Sequence, residues 1–226
     1  MPEGLGRRNR YILPSNNLEE MERNRRYRGT VVLKDQDIRL ALINHLMKRH
    51  PKPARVVEEL TIDNGNAIAD VVACYKELHC YEIKGQTDNV RRVLTQSEYY
   101  SLSFPKLTLV TTENHLNWAI TNIPEHWGLI LARSHTGKVI LKHIRKATTN
   151  HSFSKRKALM MLWKAELTAM ANAHPEVTIK KSYTREDIAE QISHSLNRED
   201  ALIGIQSAIV ERNLNGIYNK SNVSGS

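Results

Sequence analysis

Between Ala54 and Lys84 the apolar residues leave helical spacing and fall into three short runs rich in β-branched side chains: ARVVEELTI, AIADVVACY and LHCYEIK. Runs of this length and composition are strands, and the short polar stretch KE between the last two marks a hairpin reversal. Ahead of them, KDQDIRLALINHLMKRH places Ile38, Leu42 and Leu46 at four-residue steps, an amphipathic helix stopped by the prolines of PKP. After them, TDNVRRVLTQSEYYSLS reads as a second helix with Thr87 as its N-cap and Val90, Leu94, Tyr99 and Tyr100 among its apolar residues. PKLTLVTT follows as a strand apolar on both faces, then a short helix around ENHLNWAI, then WGLILAR and GKVILKHI joined by SHTG. Strands alternating with helices over residues 34–148 predict an α/β domain of two or three layers.

The flanks read differently. Residues 1–33 form an arginine-rich polar arm containing a short helix-like stretch, SNNLEEMERNRRYRG. Residues 149–216 are expected to form a helical C-terminal extension through KALMMLWKAELTAMANA, YTREDIAEQISHSL and NREDALIGIQSAIVERNL, with Thr184 and Asp187 as a capping box. The last two helices fit either a DNA-reading pair or a packing pair. Residues 217–226, KSNVSGS at their end, are expected to be a disordered tail.

The hairpin carries an unusual load of charge. Side chains in a strand alternate between faces, so Glu82 and Lys84 share one face while Tyr81 and Ile83 take the other. If Cys74 opposes Cys80, Val72 opposes Glu82 and Asp70 opposes Lys84; a register shifted by two sets Asp70 against Glu82. Either register gathers Asp70, Glu82 and Lys84. Two carboxylates in a partly buried place repel each other and lose hydration, which a divalent cation between them relieves. Hard Mg²⁺ or Mn²⁺ suits oxygen ligands, here Asp70, Glu82 and the main-chain carbonyl of Ile83, and a neighbouring lysine can serve an attacking water.

The order helix, strand, Asp70 on a second strand, Glu82 and Lys84 on a third, then helix and buried strand, resembles the PD-(D/E)xK nuclease superfamily. Ala69 stands where the pattern's name has proline. The resemblance implies a restriction-endonuclease-like core, a central mixed sheet flanked by helices. It implies metal binding by Asp70 and Glu82, with Lys84 acting on the water. Gln96 and Tyr100, four residues apart on one helical face, match the Q-x-x-x-Y element of the exonuclease-like branch. A further acid is expected from Asp37, Glu58 or Glu59, with Glu59 preferred, and Arg91 and Arg92 are candidates for holding a phosphate strand. DIRLAL, VVEELTIDNG, YEIKGQTD, IPEHWG, HIRKATTN, LMMLWKAEL and YTRED together resemble a small bacterial and phage-associated family of predicted nucleases known only by a locus tag.

Composition bounds the rest. A chain of 226 residues with 40% hydrophobic and 25% charged residues belongs to the soluble globular class. No apolar stretch is long enough to span a membrane and no secretory pattern opens the chain, so a cytoplasmic protein is expected. Cys74 and Cys80 supply neither a disulfide framework nor, with His79, a fourth zinc ligand. SHTGK lacks the first glycine and the hydroxyl residue of a phosphate-binding loop. A net charge of +9 favours a polyanionic partner. The expected function is therefore Mg²⁺- or Mn²⁺-dependent hydrolysis of nucleic acid, DNA ahead of RNA, in a phage, mobile element or defence system. The alternative is a non-catalytic nucleic-acid-binding or inhibitory protein on the same fold. The superfamily resemblance also leaves room for a homodimer that cuts both strands.

Overall fold

The computed structural model describes residues 32–212. The expected arm, apart from its last two residues, and the expected tail lie outside the described residues. Helix α1 (Asp35–Lys48) leads into strands β1 (Arg55–Ile62), β2 (Ala67–Cys74) and β3 (Leu78–Lys84). Helix α2 (Arg92–Ser103), strand β4 (Lys106–Thr111), helix α3 (Glu113–Asn122) and strands β5 (Gly128–His135) and β6 (Lys138–Arg145) follow. Helices α4 (Lys155–Leu159), α5 (Lys164–Asn172), α6 (Arg185–Ser195) and α7 (Arg198–Glu211) complete the described chain.

The six strands form one mixed sheet in sequence order. β1, β2 and β3 pair antiparallel, β3, β4 and β5 parallel, and β5 and β6 antiparallel. Both parallel connections need a crossover, and α2 and α3 supply them. Helices cover both faces, so the domain has three layers. Ile38, Leu42 and Leu46 of α1 pack with Val71, Tyr81, Ile83 and Val110 on one face. On the other, Val93 and Tyr100 of α2 and Ala119 of α3 join Val72, Cys80, Leu107 and Leu109. The same cluster contains Leu159, Leu167, Ile188, Ile192, Ala201 and Ile205, so the C-terminal helices pack into the sheet's own core. The buried faces of α6 and α7 are thus packing faces, and Thr184 caps α6 with Asp187 as expected.

Three local expectations change. The second helix begins at Arg92, not at Thr87. Asp88 instead accepts a hydrogen bond from the Gly85 amide at 2.7 Å, closing a turn, and Asn89 accepts one from Arg91. The later start turns Val93 inward and leaves Leu94 exposed. The helix expected through KALMMLWKAEL is broken between Leu159 and Lys164. Arg185 takes the carbonyls of Met160 and Leu162, which a continuous helix would use internally, and Glu166 caps a fresh start at the Trp163 amide.

Candidate active site

β2 and β3 pair with Val71 opposite Tyr81 and Val72 opposite Cys80, which carries Asp70 to the position opposite Glu82. This is the second of the two registers the sequence allows. The ladder between β1 and β2 skips the position where Glu59 would face Asp70. Glu59 there has φ 53°, a left-handed backbone that interrupts the alternation of faces. Val57 and Leu60, three residues apart, consequently both reach the same core cluster.

Freed from the ladder, Asp70 finds other partners. One carboxylate oxygen, Oδ2, accepts a 2.7 Å hydrogen bond from the Ile83 amide. Arg39 of α1 lies 3.3 Å from Oδ1 and donates to the Asp70 carbonyl at 3.0 Å. The same guanidinium is held by Asp35 at 2.8 Å and lies 3.7 Å from Glu59. Lys84 donates to Oε1 of Glu82 in a short ion pair, while Glu82 Oε2 is buried without a hydrogen-bond partner. Glu82 is 2% exposed, Lys84 15% and Asp70 21%. Burial first, and the nearby Glu82 second, push the Asp70 carboxyl up to about 7 against the opposing pull of Ile83, Lys84 and Arg39.

The second helix closes this place from the side. Tyr100 is fully buried and donates to the Ile68 carbonyl at 2.9 Å, and burial followed by the charge of Glu82 raises its phenol well above the ordinary value. Gln96, one turn earlier, has a buried Oε1 without a partner. Arg91 and Arg92 are exposed at the start of the same helix.

Asp70, Glu82, Lys84 and Tyr100 therefore lie together, and Gln96 sits one turn before Tyr100 on α2. Of the three candidates for the one further acid, Asp37 accepts from the Lys34 amide at the start of α1. Glu58 stays in the ladder opposite Val71. Glu59 reaches Arg39, a group that also touches Asp70, but its side chain is 73% exposed. Among the described residues, no three His, Cys, Asp or Glu side chains form a metal-holding cluster. Arg39 and Asp35 were not anticipated. Their four-residue spacing on an amphipathic helix signals an ion pair, though not its reach to a strand 31 residues away.

A family model described as Bacteriophage P4 protein cII matches residues 30–215. Protein cII of Enterobacteria phage P4 is 25% identical over 180 residues, spanning 78% of this chain and 68% of that protein. Among solved structures, a protein of unknown function from Silicibacter pomeroyi aligns with 56% of this chain and 84% of its own, at 15% identity and a TM-score of 0.35.

Proposed function

We propose that this chain, which belongs to the bacteriophage P4 protein cII family, is a divalent-metal-dependent nuclease that hydrolyses phosphodiester bonds, DNA ahead of RNA, on a restriction-endonuclease-like core. The observation that carries the reading is the Asp70–Glu82 pair: one carboxyl is penalised for ionising, and the other keeps a buried oxygen without a partner. A pair in that condition fits a hard cation, which removes both penalties at once.

The residues that would hold Mg²⁺ or Mn²⁺ are Asp70, Glu82 and the carbonyl of Ile83. Extended geometry turns that carbonyl to the side of the strand from which the Ile83 amide reaches Asp70. Bound there, the cation supplies Lewis-acid polarisation of a phosphate oxygen and a more acidic water. Arg39 fixes Asp70 by gripping both its carbonyl and its carboxylate, so the carboxylate is aimed before any ligand arrives. Lys84, aligned by Glu82, orients the attacking water and meets the negative charge that grows on the phosphoryl oxygens. Tyr100 anchors its helix to β2 through Ile68, and Gln96, whose Oε1 is buried without a partner, lies one turn earlier on that helix. The net charge of +9, with Arg91 and Arg92 at the mouth of α2, supports a polyanionic strand as substrate.

The test is incubation of the purified chain with circular, linear and single-stranded DNA and with RNA in Mg²⁺, Mn²⁺ or EDTA, beside Asp70→Ala. Cleavage that needs metal and disappears in the variant is the expected result, and nicking or linearising of the circle identifies endonuclease action. Tight binding with no cleavage in any metal would replace the reading with a non-catalytic nucleic-acid-binding protein.

A further inference from the structure

A second concave place lies at the opposite end of the same strands. In β3, Lys84 ends the strand at the carboxylate pair, whereas His79 near its beginning lines a cavity of about 1160 Å³. The end of β2 at Cys74, the beginning of β4, the end of β6, the segment after α1 and the first turn of α7 complete its walls. Five residues at about 3.3 Å each separate His79 from Lys84, roughly 16 Å along the strand.

The charge of this cavity is one-sided. Seven lysines and arginines line it against two glutamates. Both glutamates are already engaged by lysines of the same lining, Glu199 by Lys76 at 2.9 Å and Glu77 by Lys106 at 3.3 Å. Arg145 gives its donors to the carbonyls of Trp127 and Pro124. Arg49, Lys52, Lys146 and Arg198 remain, with no carboxylate partner among the described residues. Arg198 is held over the Phe153 ring at 4.6 Å, and its Nη2 is buried without an acceptor.

The rest of the lining suits a flat ring. Ile203 is 45% exposed within this basic surround, and Tyr75 is half-buried elsewhere in the same lining. His79 stacks on Tyr81 with ring centroids 4.3 Å apart and reaches Thr108 Oγ1 at 2.7 Å, which makes this wall rigid. Burial, then Lys106, Arg49 and His143, drop the His79 imidazole to about 3, so it stays neutral. A rigid, neutral aromatic wall beside uncompensated cations is equipped for binding rather than proton transfer.

We propose that this cavity binds a nucleoside triphosphate, with the phosphates on Arg49, Lys146 and Arg198 and the base against Tyr75 and Ile203. Its volume is just above the roughly 300–1,000 Å³ common for small-molecule sites, enough for a whole nucleotide rather than one phosphate. The inference goes beyond the proposed nuclease activity and is independent of it.

Calorimetric titration of the full chain in EDTA with ATP, GTP, inorganic triphosphate and oligothymidylate tests it. The expected result is that a nucleoside triphosphate binds at least about tenfold more tightly than inorganic triphosphate, the step in Kd that a stacked base readily supplies. The Arg49→Ala/Lys146→Ala double variant should weaken that binding by about tenfold or more, as two lost charge-assisted contacts require. It should keep the wild-type melting temperature, and Asp70→Asn should bind as wild type does. No nucleotide binding at millimolar concentration, equal affinity for inorganic triphosphate, binding of the oligonucleotide alone, or loss of binding in Asp70→Asn would each overturn the proposal.

Discussion

Asp70 stands between opposing forces: burial and Glu82 favour its protonated form, while Ile83, Lys84 and Arg39 favour the carboxylate. The net rise from 3.8 to about 7 has a definite sign. Between those values the folded state holds a proton that the unfolded state has lost, so folding stability falls as pH climbs from about 4 to about 7. At ~1.4 kcal/mol per pKa unit, the upper bound on this loss is on the order of 4 kcal/mol. Thermal unfolding in EDTA should therefore find Asp70→Asn more stable than wild type at pH 8 and nearly equal to it at pH 4. A constant difference across that range would remove the role of Asp70 ionisation. In the proposed nuclease, Arg39 acts through Asp70 as a positioning residue. Arg39→Met should reduce cleavage by roughly 10- to 100-fold, the usual range for losing a group that orients a metal-binding carboxylate. It should also move the acidic limb of the pH–rate profile upward, since one cation that favours the carboxylate is gone. A fall in rate with an unmoved profile would make Arg39 merely structural.

At the scale of elements, the strands and their order were legible because β-branched runs bounded by turn residues change the hydrophobic period unmistakably. The sequence alone brings Asp70, Glu82 and Lys84 together, since a period of two and one hairpin suffice. The choice between registers was not legible, because both bury Val72 and Cys80 equally well and differ only in how the turn closes. The broken helix at Met160–Trp163 was hidden for another reason: no glycine or proline marks it, and the cause is Arg185, more than 20 residues away. Arg39 was missed likewise, because only packing of α1 on the sheet reveals what a surface-patterned arginine touches. The left-handed Glu59 is a backbone cost of about 1 kcal/mol or more placed next to Asp70. Glu59→Gly should raise the melting temperature measured by circular dichroism, and a fall would mean that the Glu59–Arg39 contact outweighs the backbone relief. Gly85, just past β3, has no room for a side chain: a Cβ there would stand 2.9 Å from the Asp35 amide nitrogen and the Leu33 carbonyl oxygen. Gly85→Ala should cost ~1–3 kcal/mol in chemical denaturation by pushing α1, and with it Arg39, away from the site. Wild-type stability would show that the loop simply shifts.

For the whole molecule, the sequence separates an α/β core from a helical extension, whereas the buried cluster runs through both. Arg55 at the start of β1 donates to the carbonyls of Ile209, Val210 and Arg212, and Lys157 pairs with Asp63 at 2.6 Å. A chain ended at residue 148 would expose the sheet face that Leu159, Ile188 and Ile205 cover. It should show no cooperative unfolding transition, while a chain ended at residue 212 should keep one. Among the described residues no helix is long and apolar enough to cross a membrane. The family takes its name from a phage P4 protein, and the positive charge of the chain suits a nucleic-acid partner. The most direct measurement of the central claim is the cleavage rate of linear duplex DNA in Mg²⁺ by wild type and by Lys84→Ala, with EDTA as the blank. Metal-dependent cleavage by the wild type and a loss of at least about 100-fold in the variant are expected, the scale on which a group stabilising transition-state charge acts. Cleavage that persists in EDTA, or a variant as fast as wild type, would contradict the claim.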